Sequence, residues 1–311
     1  MKDSRTHDRP SALVVGESVL DIVDTPQGRT RHPGGSPMNV AVGLARLGVP
    51  TQLFTQLGAD TAGALIAGHL REAGVEIVPA SFTASPTNTA TATLHPDGSA
   101  EYAFVMEWAP PGPVPLPAVE LIHVGSLGAF LRPGADTVED FLARVPDSVT
   151  ISFDPNIRPS LLHDRTDAVQ RFERLARRAD IVKLSDEDAA WLYPARSDAH
   201  VLAGLLDAGA ELAIITLGAK GAKLATPAAT ATVPAPTVQA VDTIGAGDSF
   251  MSAILATLLN EQRPPGPLGP TTLEHLGTRA ALAAALTVQR EAAQPPTQTE
   301  LHTATSPPPH T

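Results

Sequence analysis

The stretch Asp242–Leu259, DTIGAGDSFMSAILATLL, sets two glycines and an alanine between two aspartates and then turns apolar. Phe250, Ile254 and Leu258 recur at helical spacing, which predicts a helix starting near position 248. The amides of Gly245, Ala246 and Gly247 then lie at the positive end of that helix. First-turn N–H groups have no partner within a helix, and small side chains let an anion come close. Asp248 reads in two ways. It is an acid that suits a helix start, or it is a base: a carboxylate facing a bound anion is repelled unless it has another task, such as taking a proton from an attacking hydroxyl. The residues alone leave both open.

Outward from this stretch, apolar strand-like runs alternate with helical patterns. SALVVGESVLDIV reads as a strand running into a turn. PMNVAVGLARLG reads as a helix, with Ser36 as its cap, Pro37 in its first turn and Gly48 at its stop. TQLFTQLG is a strand and TAGALIAGHLREAG a helix. LIHVGSL, VTISFD, IVKLS and LAIITLG are later strands. The alternation predicts an α/β fold: a mainly parallel central sheet with helices on both faces. From Ala80 to Met106 the rhythm breaks. Threonine-rich alternation and an Asp97-Gly98 turn predict a β-hairpin there, either an edge extension or a lid. One domain over 11–296 is expected, with flexible tails at 1–10 and 297–311.

Composition narrows the function. The 311 residues carry a net charge of −11, which argues against a general nucleic-acid or anionic-membrane binder. It leaves an anionic substrate open, because backbone amides bind phosphate without net positive charge. There is no cysteine, so disulfides and cysteine-ligated zinc are excluded. The first residues lack an apolar signal core and no run is long enough to span a bilayer. A soluble, cytoplasmic protein is the expectation. GxxxxGK[ST], GxSxG and HExxH are absent, and Phe250 stands where a dinucleotide fingerprint needs its third glycine.

DTIGAGD at 242–248 resembles the C-terminal signature of the PfkB, or ribokinase-like, carbohydrate kinases. GGSPMNVAVGLARLG at 34–48 resembles their N-terminal signature. DPNIRPSLL at 154–162, VKLSDEDAAWLYP at 182–194 and ITLGAKGA at 215–222 match in the same order. Within the family these segments look most like bacterial fructokinases. The resemblance implies ATP-dependent phosphorylation of a sugar, with fructose first and 2-keto-3-deoxygluconate or a ribosyl compound as alternatives. A silent sugar-binding regulator on the same fold is the reading from another class.

Carried over residue by residue, the resemblance makes Asp248 the base and Gly245, Ala246 and Gly247 the anion hole. Asp21, Gly34, Gly35 and Asn39 would bind the sugar, with Phe104 reaching it from the 80–106 lid. Arg158 would reach ATP phosphates, and Ser185, Thr216, Gly218 and Gly221 would lie along the nucleotide. Lys220 is read as a solvated charge. Asp188 matches an acid that supports Mg²⁺ indirectly, although it is shorter than the usual glutamate. REAAQPP, from Arg290, puts Ala292 where related fructokinases carry glycine, near a site for a potassium-type cation. That leaves K⁺ activation open, with Asp242 as one available ligand. The partners implied are a small sugar and ATP, and relatives commonly form homodimers through the lid. The lid segment has no lysine or arginine, which favours a neutral sugar.

Overall fold

Alternate residues of a parallel strand face opposite sides of its sheet, so a sheet covered by helices on both sides needs apolar side chains on both. Strand Ala12–Val15 meets this demand. Ala12 and Val14 join one core with helices Ser36–Arg46, Ala246–Asn260 and Pro270–Val288. Leu13 and Val15 join the other with helices Gly134–Leu142, Arg165–Ala176 and Asp198–Asp207. The computed structural model describes residues 10–25, 28–94, 100–110, 112–162, 164–266 and 268–305.

The central sheet has nine strands. From one edge they run Thr230–Val233, Ala222–Ala225, Leu212–Thr216, Ile181–Ser185, Thr150–Asp154, Leu121–Gly125, Ala12–Val15, Thr51–Phe54 and Val75–Ile77. Pairing is parallel except at the first two strands, which turn back antiparallel. From Ala12–Val15 the chain first builds outward through Thr51–Phe54 and Val75–Ile77. It then returns to add Leu121–Gly125 on the other side. The strand order reverses there, and a crevice at the carboxyl ends of the strands is where such sheets take ligands.

Four expectations change. SALVVGESVLDIV splits into two strands in different sheets, because Val19–Thr25 leaves the central sheet. The lid is therefore larger than the 80–106 hairpin. It is a four-stranded sheet in the order Gly28–Gly34, Val19–Thr25, Thr89–Leu94 and Ala100–Val105. Of its two added strands, Gly28–Gly34 carries Arg29 and Arg31, so the lid does contain arginines. Both are exposed, and Arg29 pairs with Asp24. Ser36 does not cap its helix: Gly35 takes that position at φ 108°, and the serine hydroxyl goes elsewhere. The expected tail from 297 includes the helix Gln298–Thr305, held by buried Leu301 and by Arg290 Nη2 on Glu300 Oε1 at 2.6 Å. The Asp97-Gly98 turn, residues 1–9 and residues 306–311 lie outside the described residues.

Candidate active site

Five adjacent strands deliver polar residues to one end of the sheet. Glu17 follows Ala12–Val15, and Ser126 follows Leu121–Gly125. Asp154, Ser185 and Thr216 end the next three strands. The lid covers this end, and between them lies a cavity of about 730 Å³. Asp21 and Phe104 line it from the lid, and Gly35, Asn39, Arg158, Ser185 and Asp248 line it from the main body. A second cavity of about 470 Å³ adjoins it and shares Thr216, Gly218, Thr243 and Gly247 as a common wall. The second cavity is mostly apolar, with Val238, Ala281, Ala285 and Val288 among its walls.

The Gly245–Asp248 turn enters this common wall at Gly247. Gly245 adopts φ 76°, and a Cβ there would stand 2.5 Å from the Ala293 Cβ, so both conformation and packing demand glycine. The helix Ala246–Asn260 begins directly after it and aims its first-turn amides at the junction of the cavities. Asp242 braces this turn from outside. Its Oδ1 accepts from Ile244 N at 2.9 Å, and its Oδ2 accepts from Ala292 N at 3.0 Å. Ala292 holds φ 57°, the left-handed conformation that glycine adopts without strain. Asp242 therefore anchors two loops to each other.

Asp248 is half-buried at the cavity wall. Ser36 Oγ donates to its Oδ1 at 2.6 Å, and Asn39 Nδ2 donates to its Oδ2 at 2.8 Å. Burial raises its pKa above the ordinary carboxylate range. The two hydrogen bonds and the charges of Lys183 and Arg158 work in the opposite direction. The helix Ser36–Arg46 thus fixes the orientation of Asp248. Asn39, expected at the sugar, spends its amide on the carboxylate. Ser36, read only as a cap, is the residue the sequence reading missed here.

Asp21 lies on lid strand Val19–Thr25 opposite His32. Burial raises its pKa and the His32 charge opposes that. Gly34 is glycine because a Cβ would stand 2.6 Å from Asp21 Oδ2. It makes room for that carboxylate and is not itself a cavity wall. Gly221 likewise makes room for the chain, since a Cβ would lie 1.9 Å from Val233 O. Gly218 differs: at φ 55° its missing side chain faces open space in the cavities. Thr216 Oγ1 donates to Leu184 O at 3.3 Å.

The segment after Lys183 is a capping box. Ser185 Oγ accepts from Asp188 N at 3.0 Å, and Asp188 Oδ2 accepts from Ser185 N at 2.9 Å. Asp188 Oδ1 takes a third amide, Ile157 N, at 2.8 Å. Both carboxylate oxygens are thus engaged by backbone, so Asp188 also ties this loop to the Ile157 segment. Asp186 and Glu187 are the exposed carboxylates on this stretch of wall.

Glu17, Asp154 and Lys183 also line the large cavity, and the sequence reading assigned them no role. Glu17 is pushed up to about 7 by burial, against hydrogen bonds that include Ser126 and Gly128 N at 2.7 Å. Ser126 and Asn156, which also line this cavity, hold φ 51° and 40°, uncommon for residues other than glycine. Asp154 is pushed up to about 6 by burial, opposed by Lys183. The signal for Asp154 and Lys183 lay in the strands themselves. VTISFD and IVKLS each interrupt an apolar run with a polar residue on a sheet face that must be buried.

A fructokinase of Rhizobium leguminosarum bv. trifolii is 37% identical over 259 residues, covering 79% of each chain. The crystal structure of the fructokinase from Vibrio cholerae O395, with fructose, ADP and calcium ion bound, superposes with a TM-score of 0.80 at 26% identity, over 95% of this chain and 98% of that one. Aminoimidazole riboside kinase from Salmonella enterica, complexed with aminoimidazole riboside and an ATP analogue, reaches 0.78 at 26% identity, over 94% and 99%. Large sheet, lid sheet and twin cavity thus define the class, a carbohydrate kinase with a ribokinase-like fold. The chain belongs to the pfkB carbohydrate kinase family, which matches residues 10–300.

Proposed function

We propose that the protein is an ATP-dependent fructokinase that phosphorylates the 6-hydroxyl of fructose. The observation that carries this reading is the position of Asp248, on the wall of the cavity under the lid and next to Gly247, which lines both that cavity and the apolar one. The sugar occupies the first, with Asp21 accepting from its hydroxyls. The adenine end of ATP occupies the second, where apolar walls suit a flat aromatic base. The phosphates cross the shared wall. Asp248 accepts the hydroxyl proton as the oxygen attacks the γ-phosphorus. The bond to the bridging oxygen of ADP breaks on the opposite side. The amides of the 245–247 turn and Arg158 offset the charge on the group in flight.

Mg²⁺ would supply further charge neutralisation on the phosphates. Among the described residues no three acidic or histidine side chains converge on one point. A cation arriving with ATP and water, near Asp186 and Glu187, fits this donor set. Potassium activation is weakened by the bracing role of Asp242. A homodimer through the lid is supported by Val105, 48% exposed on the strand face opposite Phe104.

A kinase for a ribosyl compound is the second reading, favoured by the similarity to aminoimidazole riboside kinase. An acidic sugar is disfavoured. The cations on the cavity wall, Arg158 and Lys183, stand at the phosphoryl end, and Asp21 stands at the lid end. The test is a panel of sugars with ATP, followed by the position of phosphate in the product. Fructose is expected to be the best acceptor, giving the 6-phosphate. A ribosyl compound turned over faster would replace the fructose reading, and no sugar-dependent ATP turnover would remove the kinase reading.

Ser36→Ala tests the setting of the base. The base works when deprotonated, so activity is present above its pKa and fades as pH falls. Losing the Ser36 donor removes a bond to the charged form, which moves the acid limb of kcat/KM to higher pH. The rate at neutral pH should fall roughly tenfold, the equivalent of about 1.4 kcal/mol. A pH–rate profile unchanged in both respects would show that the hydroxyl does not support the base.

A further inference from the structure

Lys183 lies on strand Ile181–Ser185 and is 4% exposed. Val182 and Leu184 face one core and Ile181 faces the other, so Lys183 shares the Ile181 side, toward the helix Ala246–Asn260. Its Nζ donates to Asp154 Oδ2 at 2.6 Å. Among the described residues this is its only hydrogen-bond acceptor, whereas an ammonium offers three donors. The side chain lines the same cavity as Asp248. A Cβ placed on Gly247 would stand 3.5 Å from Nζ, so the ammonium lies against the anion-hole turn.

Stability does not account for this pair. Removing two charges from water costs several kcal/mol per ion, and well-packed apolar residues of the same volume often do as well. The other face of the same strands is filled by Phe153, Val182 and Leu184. Burial acts to lower the pKa of Lys183, but Asp154, Asp188 and Asp248 outweigh it and the group stays protonated.

We propose that Lys183 is a further catalytic residue, held by Asp154 so that its ammonium donates to an oxygen of the phosphoryl group in transfer. It forms no covalent bond and keeps its proton throughout, while the proton of the sugar hydroxyl goes to Asp248. The proposal rests on the kinase reading above. A structural pair would need only that both charges be present or both be absent. A phosphoryl contact needs the ammonium itself.

The test uses the full chain with Lys183→Met alone and with Lys183→Met combined with Asp154→Asn. The double variant removes both charges of the pair and leaves neither member without its partner. It is expected to recover the Tm lost in the single variant, yet to keep a kcat at least ~100-fold below wild type with the sugar KM nearly unchanged. A double variant with wild-type Tm and kcat within roughly threefold of wild type would overturn the proposal. A second measurement needs no change at position 183. The chain has four lysines, so ¹⁵N-lysine spectra are simple to assign by replacing the other three with arginine. The Lys183 Nζ signal should move on adding a non-hydrolysable ATP analogue and stay in place with ADP, which lacks the transferred group. The same response to both would sink the proposal even if no variant folds. This readout needs no turnover, so failure of the kinase reading is seen separately, in the sugar panel.

Discussion

Asp248→Asn is expected to lower kcat by ~10³–10⁴-fold while leaving the sugar KM within a few-fold of wild type. The amide is isosteric and still accepts from Ser36 through its oxygen. Asn39 can turn its own carbonyl toward the new amide nitrogen, so the helix Ser36–Arg46 keeps its hold. What is lost is the ability to take the hydroxyl proton. The stability change should have the opposite sign. Burial raises the folded-state pKa of Asp248 above its unfolded value. Such a group contributes stability that is full below the unfolded pKa and is lost as pH rises through the folded one. Asparagine cannot ionise, so the variant should melt no lower than wild type at about pH 8. Steady-state kinetics and a melting curve check both halves. Retained turnover would remove Asp248 as the base.

Gly245→Ala is expected to cost about 100-fold in kcat with the sugar KM nearly intact. Alanine at φ 76° carries a left-handed penalty of ~1–2 kcal/mol. Its Cβ would also meet Ala293 Cβ at 2.5 Å, so the turn must shift. A displacement on the order of 1 Å in catalytic groups is enough for a loss of this size. Asp21, the proposed sugar contact, lies on the lid and does not depend on this turn. Weaker sugar binding with unchanged kcat would show that the amides serve binding rather than transfer.

Glycines, caps and apolar runs outlined most helices and strands because those signals are local. Gly48 ends its helix at φ 84°, and the four later strands fall where their apolar runs lie. The lid was only half legible. Val19–Thr25 looks like the strand that precedes it, and nothing in its own residues says that it changes sheets. Its partner Thr89–Leu94 is distant in sequence. The same distance hid the charge of the lid, since Arg29 and Arg31 join it only through that pairing.

The site divides in the same way. DTIGAGD by itself determined a helix start with small residues in its turn and an acid in its first turn, because backbone conformation and helix ends follow from neighbouring residues. Only the tertiary structure decided what that acid touches. Ser36 and Asn39, more than two hundred residues away, set its orientation and proton affinity. Asp188 reads in the sequence as an indirect metal support and Asp242 as a cation ligand, and only the fold shows the distant amides that each of them also holds. Lys183 is one charge in an apolar strand until the sheet puts Asp154 beside it and the Gly247 turn above it. Hydrogen bonds and buried charges act over a few ångströms of space, and chain order does not carry that distance.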